Sequence, residues 1–157
     1  MSVELYRLAD PRYNGDLVQA VAGIGGLFGP ARWHVKGYRI VYMATTLSLA
    51  TLEMKVQDMG MKPAYAAFRI TVPDSMSRRR IDTAQLPDHW RTREAYPECQ
   101  ALGLAWLTGA DETALLLVPS AVVPSETNYL LNPAHPQAGL LQVVSLGIVS
   151  TDARLLR

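Results

Sequence analysis

A glutamate on an apolar helical face is the residue of this sequence best suited to chemistry. Residues three and four apart share a face of a helix, and by that spacing segment 47–59 has an apolar stripe of Leu49, Leu52, Val56 and Met59. Glu53 falls within the stripe, while the opposite side carries Ser48, Thr51, Lys55 and Asp58. Burying a lone carboxylate is costly unless it is paired or opens into a cavity. Glu53 is therefore either held in a cleft, where its charge acts strongly on a ligand, or lies at the edge of the stripe, where it reaches solvent or pairs with an arginine.

Two residues before this helix are candidates for the same site. The alternation of a strand over 38–44 places Tyr42 on one face with Ile40 and Ala44. Because only a two-residue cap separates this strand from the helix, Tyr42 and Glu53 are expected to lie close together. Arg32 lies in a Gly/Pro loop that leads into the strand, and its forked guanidinium suits a phosphate. The alternatives are a core tyrosine with a satisfied hydroxyl and a solvated surface arginine.

The elements that must position these residues are short strands mixed with helices. Hydrophobic patterns predict strands over 3–8, 38–44, 64–72, 114–118 and 140–149, and helices over 16–22, 47–59 and 97–107. Segments 75–93 and 119–139 are predicted to be loops. Because the order lacks a regular strand–helix alternation, the fold class predicted is α+β, a single domain over 1–157 with a mixed sheet and flanking helices.

Composition excludes several classes of protein. The chain has 157 residues, a net charge of +1 and one cysteine, so it is expected to be neither membrane-bound nor strongly attracted to nucleic acid. The lone Cys99 excludes an internal disulfide and, with no signal-peptide pattern at the N-terminus, fits a cytoplasmic protein. His34, His89 and His135 are too widely spaced for a zinc site, so no metal is expected and they are assigned to loops or the surface.

A basic segment provides the alternative that is not an enzyme. Arg78, Arg79 and Arg80, joined by Arg91 and Arg93, could contact nucleic acid or serve as a structural interaction surface. Acidic residues dilute this segment, and such a run is more often a solvated loop. Direct binding of nucleic acid is therefore not expected.

The order of several short motifs resembles the RES family, named for its Arg, Glu and Ser. The matching pieces are Leu5-Tyr6-Arg7, Gly25-Gly26, Arg32-Trp33, Gly37 with Val41-Tyr42, the segment 50–53, Val118-Pro119-Ser120, and Asn128-Tyr129-Leu130-Leu131-Asn132-Pro133. The resemblance extends from residue 5 to about residue 136. One departure is Pro30-Ala31, where the family usually has two glycines, so the backbone of this loop is less free. Ser120 and Ser125 both follow a Pro-Ser pattern, and Ser120 matches the family better.

The resemblance implies a fold related to ADP-ribosyltransferases and an activity that destroys NAD⁺. Family members act as toxins of type II toxin–antitoxin systems, and an antitoxin of the Xre helix-turn-helix type neutralises them. NAD⁺ is then a substrate, and no cofactor is expected. The acceptor is left open among water, phosphate and a protein, and the assembly between a homo-oligomer and a hetero-oligomer with the antitoxin.

If the reaction is cleavage of NAD⁺, each candidate residue has an expected role. Glu53 would hydrogen-bond the ribose and stabilise the positive charge that develops as nicotinamide leaves. Arg32, supported by Arg7, would bind the pyrophosphate. Tyr42 would stack on or hydrogen-bond the nicotinamide–ribose end, and Ser120 would hold the carboxamide or the ribose. The catalytic set predicted is thus Glu53, Arg32 and Tyr42, with Arg7 and Ser120 binding substrate.

Overall fold

Seven strands form one mixed sheet in the computed structural model, which describes residues 1–57 and 60–157. The strands are β1 Ser2–Ala9, β2 Val41–Ala44, β3 Ala64–Pro73, β4 Arg78–Arg80, β5 Leu115–Pro119, β6 Thr127–Leu131 and β7 Gln142–Ser150. Their order across the sheet is β4-β5-β6-β2-β1-β3-β7. β4 and β5 are parallel, whereas the neighbouring pairs from β5 to β7 are antiparallel. The prediction of an α+β fold with a mixed sheet is confirmed.

Three helices accompany the sheet within the described residues: α1 Leu17–Ala20, α2 Leu47–Lys55 and α3 Tyr96–Thr108. Short 3-10 helices span Ile24–Leu27, Thr83–Gln85, Arg93–Ala95, Pro136–Leu140 and Ala153–Leu156. Thr46 caps α2, because its hydroxyl accepts from the backbone N–H of Leu49 at 3.0 Å. In the part of the chain that the structure describes, no helix is long and apolar enough to cross a membrane.

The two longer helices pack on the same face of the sheet. Tyr42 of β2 pairs with Leu130 of β6 and shares its face with Ala44, two residues further along the strand. Leu130 belongs to the hydrophobic cluster around Trp106 of α3, whereas Ala44 belongs to the cluster beneath Leu49 of α2. Tyr42 therefore lies where the clusters under α2 and α3 meet. The opposite face of the sheet forms a separate core with α1.

Close packing of α3 depends on a glycine. A Cβ at Gly103 would lie 1.7 Å from the carbonyl oxygen of Trp33, so no other residue fits without a backbone shift. This contact fixes α3 against the loop that carries Arg32.

Two predicted loops contain strands. Segment 75–93 includes β4, the triplet Arg78–Arg80, which pairs in parallel with β5 at the edge of the sheet. Segment 119–139 includes β6, which lies between β5 and β2. Both predictions were wrong because pairing with β5, rather than local pattern, makes these residues extended.

The helix that carries Glu53 is shorter than predicted, and its buried face differs. It ends at Lys55, and the predicted helical residues Asp58 and Met59 lie outside the described residues. Leu52 and Val56 are exposed rather than buried, with 40% and 56% of their surface accessible. The buried face is formed by Leu49 and Ala50, and Glu53 continues it as a half-buried residue. Glu53 thus lies at the border of a core, not inside an apolar stripe.

Candidate active site

Glu53 is held by two side chains that converge on one of its carboxylate oxygens. The Ser120 hydroxyl donates to Oε1 at 2.7 Å, and the side-chain amide of Asn128 donates to the same oxygen at 2.7 Å. Across the described residues, Oε2 has no hydrogen bond. Both donors are neutral, so the carboxylate is oriented while its negative charge remains available to a ligand.

Ser120 is placed for this contact by the end of β5. It is fully buried, and its Oγ accepts from the backbone N–H groups of Val122 and Val123, each at 3.1 Å. With its lone pairs occupied, the hydroxyl proton is directed at Glu53. Ser125 is exposed and lines a separate cavity of about 190 Å³. Of the two serines that fit the Pro-Ser pattern, Ser120 is the one in contact with Glu53.

The Tyr42 hydroxyl is already engaged within the protein. It lies 2.7 Å from Nδ1 of His34, whose Nε2 lies 2.9 Å from the carbonyl oxygen of Gly29. A carbonyl can only accept, so Nε2 carries a proton, and in a neutral imidazole Nδ1 then accepts from the Tyr42 hydroxyl. Burial lowers the pKa of His34, which favours this neutral form.

The ring of Tyr42 is therefore better placed than its hydroxyl to contact a ligand. Burial raises the pKa of Tyr42, opposed in part by a backbone hydrogen bond from Trp33. The charge of Glu53 also raises this pKa and that of Arg32 lowers it, so Tyr42 lies within electrostatic range of both other predicted catalytic residues. His34, assigned from sequence to a loop or the surface, is 4% exposed and belongs to this network.

Arg32 is fixed by main-chain carbonyl groups. Its guanidinium donates to the carbonyl oxygens of Trp90, Arg91 and Thr92, at 3.0 Å for Arg91 and 3.1 Å for Thr92. It also lies over the ring of Tyr96, 4.8 Å from the ring centre. These carbonyl groups occupy three of its five N–H donors, so Arg32 braces segment 90–92.

Arg7 lies where β1 and β2 separate. Among the described residues these strands pair at one position, Tyr6 with Ala44. Beyond it, Arg7 donates to the carbonyl oxygen of Tyr42 at 3.2 Å, in place of a strand-to-strand hydrogen bond. Its Nε is buried without a partner, and no carboxylate of the described residues forms an ion pair with it. Burial lowers the pKa of Arg7 to about 10, because the charged form lacks solvation. A bound anion would therefore stabilise the charged form of Arg7.

The structure thus brings the five predicted residues into one region and adds two that were missed. Glu53 and Ser120 are in direct contact, Arg7 contacts the Tyr42 backbone, and Arg32 acts on this group at longer range. Asn128 and His34 were missed. Asn128 lies in a strand that was read as loop, and the pairing of His34 with Tyr42 depends on how the 29–34 loop folds.

Two cavities described on the surface lie apart from Glu53. The larger, about 640 Å³, lies between α1 and residues 133–143, and the smaller lies between β4 and the loop that follows Ser120. Within residues 1–57 and 60–157, no group of three or more His, Cys, Asp or Glu residues could hold a metal ion. The groups that the candidate site presents are a carboxylate, a cation and an aromatic ring.

Comparison with known proteins identifies the family of this chain. Residues 4–154 match the RES domain family, and the chain belongs to it. Relatives of nearly the same length are named as toxins. "Toxin Res" of Yersinia enterocolitica is 35% identical, covering 83% of this chain and 84% of that protein. The "Prs ADP-ribosylating toxin" of Sphingobium sp. is 34% identical, covering 100% and 99%. By family and by these relatives, the chain is classed among the toxins.

A solved structure shares the fold. The chain superimposes on one in the crystal structure of the M. tuberculosis MbcT–MbcA toxin–antitoxin complex, with a TM-score of 0.68 and 21% identity. The match covers 94% of this chain and 85% of that one. At this level of identity the likeness concerns the fold alone.

Proposed function

We propose that this protein is the toxin of a type II toxin–antitoxin system and that it destroys NAD⁺ in the cytoplasm by cleaving the bond between nicotinamide and ribose. The observation that carries the proposal is the anchoring of Glu53. Ser120 and Asn128 hold one carboxylate oxygen, and Oε2 has no hydrogen bond from any residue that the structure describes. Membership of the RES family supports it further.

The reaction requires stabilisation of a developing cation. The C–N bond to nicotinamide breaks, the electron pair leaves with the neutral base, and positive charge develops at the anomeric carbon and the ring oxygen of the ribose. A carboxylate that hydrogen-bonds the ribose 2′-hydroxyl stabilises this charge, and Glu53 is given that role. Water or phosphate then forms the new bond to the anomeric carbon and releases a proton to solvent. Because nicotinamide leaves uncharged, no strong general acid is needed.

The remaining residues are each assigned to a part of NAD⁺ according to the groups they can offer to it. Arg7, half-buried and without a counter-ion among the described residues, is the first candidate to bind the pyrophosphate. Arg32 fixes the neighbouring segment 90–92 and adds positive charge near the same group. Tyr42 would stack on the nicotinamide end, because its hydroxyl is committed to His34. Ser120 acts on substrate through Glu53.

The direct test is to incubate the purified protein with NAD⁺, with and without phosphate, and to identify the products. Glu53→Gln keeps the shape of the side chain but removes the charge. Loss of one charge-stabilising group typically lowers the rate by roughly 10²–10³, so this variant should fold as wild type and lose most NAD⁺ cleavage. Consumption of NAD⁺ by Glu53→Gln at the wild-type rate would show that the assignment is wrong.

A second candidate within the same chemistry is transfer of ADP-ribose to a protein. It is favoured by the Sphingobium relative, whose name describes an ADP-ribosylating toxin. NAD⁺ labelled in the adenosine part separates the two activities. Label retained on a protein indicates transfer, whereas free ADP-ribose or its phosphate ester indicates cleavage.

The proposed partner is an Xre-type antitoxin, and the fold shared with a chain of a toxin–antitoxin complex supports it. Direct binding of nucleic acid is less favoured, because the arginines of the basic segment contact the protein itself. Arg79 pairs with Glu112, and Arg91 donates to the carbonyl oxygens of Ala121 and Val122. A salt-sensitive shift of DNA or RNA by the isolated protein would instead support the nucleic-acid alternative.

A further inference from the structure

Asn128 is the second side chain on Glu53, and the sheet explains why it reaches there. It lies in β6, paired with Ala44 of β2 on one side and Val118 of β5 on the other. Paired residues share a face of the sheet, and Ala44 lies in the cluster beneath α2. The side chain of Asn128 therefore projects toward the helix that carries Glu53.

The orientation of this amide is fixed by the carboxylate. The Nδ2 group donates to Oε1 at 2.7 Å, and a rotated amide would place two oxygen atoms against each other. In this orientation Oδ1 of Asn128 is buried and has no partner among the described residues. Leaving a buried acceptor unpaired disfavours the folded state, and an apolar side chain of the same size would avoid that cost. The benefit of asparagine here must lie in what Nδ2 does.

We infer that Asn128 is a positioning residue, which together with Ser120 holds Oε1 of Glu53 so that Oε2 is the oxygen presented to the substrate. Two donors at different points of the site, one at the end of β5 and one within β6, restrain the carboxylate more than either alone. The inference rests on the proposed cleavage of NAD⁺. The inference adds Asn128 to the site and gives the two carboxylate oxygens of Glu53 different roles.

The first variant is Asn128→Leu, which keeps the branching and the number of heavy atoms of the side chain and removes both the donor and the unpaired acceptor. Loss of a hydrogen bond to a charged group should lower kcat for NAD⁺ cleavage by roughly ten- to a hundred-fold. KM should change by less than about threefold, since the pyrophosphate contacts are untouched. The melting temperature should change little, because removing the buried unpaired acceptor offsets the loss of the hydrogen bond to Glu53.

Asn132 supplies a matched control in the same region of the chain. Its amide donates to the carbonyl oxygen of Leu107 at 3.4 Å and accepts from the backbone N–H of Ala134 at 3.0 Å, away from Glu53. Asn132→Leu should lower the melting temperature and leave kcat per folded molecule unchanged. A purely structural role for Asn128 would give the same pattern, and that result would overturn the inference.

A second variant, Asn128→Asp, reports on Glu53 itself. Two carboxylates at hydrogen-bond distance disfavour each other's ionised form, so the acid side of the pH–rate profile should move to higher pH. Tyr42, Tyr96 and Arg32, the other groups coupled electrostatically in this site, are unchanged in the variant. An unshifted profile would contradict the inference. If wild type consumes no NAD⁺, the proposed function fails. If wild type is active and Asn128→Leu equally so, the inference alone fails.

Discussion

Replacing Ser120 with alanine should reduce both the stability and the activity of this protein, for separable reasons. The Ser120 hydroxyl accepts from two backbone N–H groups at 3.1 Å and donates to Glu53 at 2.7 Å. Each N–H left without a partner in a buried position costs about 1–3 kcal/mol. Because residues 122 and 123 are half-buried, values near the lower limit apply, and the variant should lose about 2–4 kcal/mol of the free energy of unfolding.

Thermal unfolding measures this loss directly. For a domain of this size, 1 kcal/mol shifts the melting temperature by roughly 2–4 °C, so Ser120→Ala should melt roughly 5–15 °C below wild type. Assayed well below its melting temperature, the variant should still cleave NAD⁺ roughly tenfold more slowly or worse, because Glu53 has lost a donor. Ser125→Ala is the control, since Ser125 is exposed and should change neither quantity. If Ser120→Ala melts at the same temperature as wild type, the Ser120 hydroxyl does not stabilise the loop through residues 122 and 123. If the variant keeps full activity, the hydroxyl does not assist Glu53.

Two further predictions concern the loop over residues 29–34 and the helix that packs on it. Burial lowers the pKa of His34, so below about pH 6.5 the unfolded chain binds a proton that the folded protein resists. The melting temperature should therefore fall as pH decreases from 7 to 5. It should fall less steeply in His34→Asn, which removes the titrating group; parallel curves for the two proteins would contradict this. Gly103→Ala should destabilise the protein by about 3 kcal/mol or more in denaturant unfolding, because the new Cβ would lie 1.7 Å from the Trp33 carbonyl oxygen. Gly25→Ala, with nothing within 4 Å of the added Cβ, should be close to neutral, and equal losses for the two glycine variants would show that the contact with Trp33 is not the cause.

The elements that sequence predicted well are those whose pattern is local. β1, β3, β5, β7 and α3 have continuous apolar or β-branched stretches bounded by Pro, Gly or Asp, and they were found within a few residues of their predicted limits. β6 begins with polar residues after a Pro-Ser segment, and β4 is three arginines. Both are extended because β5 supplies a hydrogen-bonding edge, and that information lies in distant parts of the chain.

The candidate site, like the fold, was predicted from sequence only in part. The order of motifs identified Glu53 and Ser120, which are 67 residues apart and in contact. It included Asn128 in a matched motif but gave it no role beside Glu53, 75 residues away, because no spacing rule connects a helix to a strand that was read as a loop. The hydrogen bonds from the Arg32 guanidinium to carbonyl groups near residue 91 could not be predicted either, because main-chain acceptors have no sequence signature. Sequence can name a charged residue, but only the fold shows which of its donors are occupied.

The single residue pair between β1 and β2 has a consequence for how the molecule loses its structure. Within the described residues, Tyr6 and Ala44 are the one strand pairing between the group β1, β3 and β7 and the group β2, β6, β5 and β4. Few backbone hydrogen bonds therefore need to break for one half of the sheet to open away from the other, and cooperative units often follow such boundaries. Amide hydrogens at the ends of β1 and β2 that face this junction should exchange with solvent earlier than those between β1 and β3, where eight residue pairs hold the strands together. Arg7 lies at that junction, so an anion bound there would slow exchange in both halves.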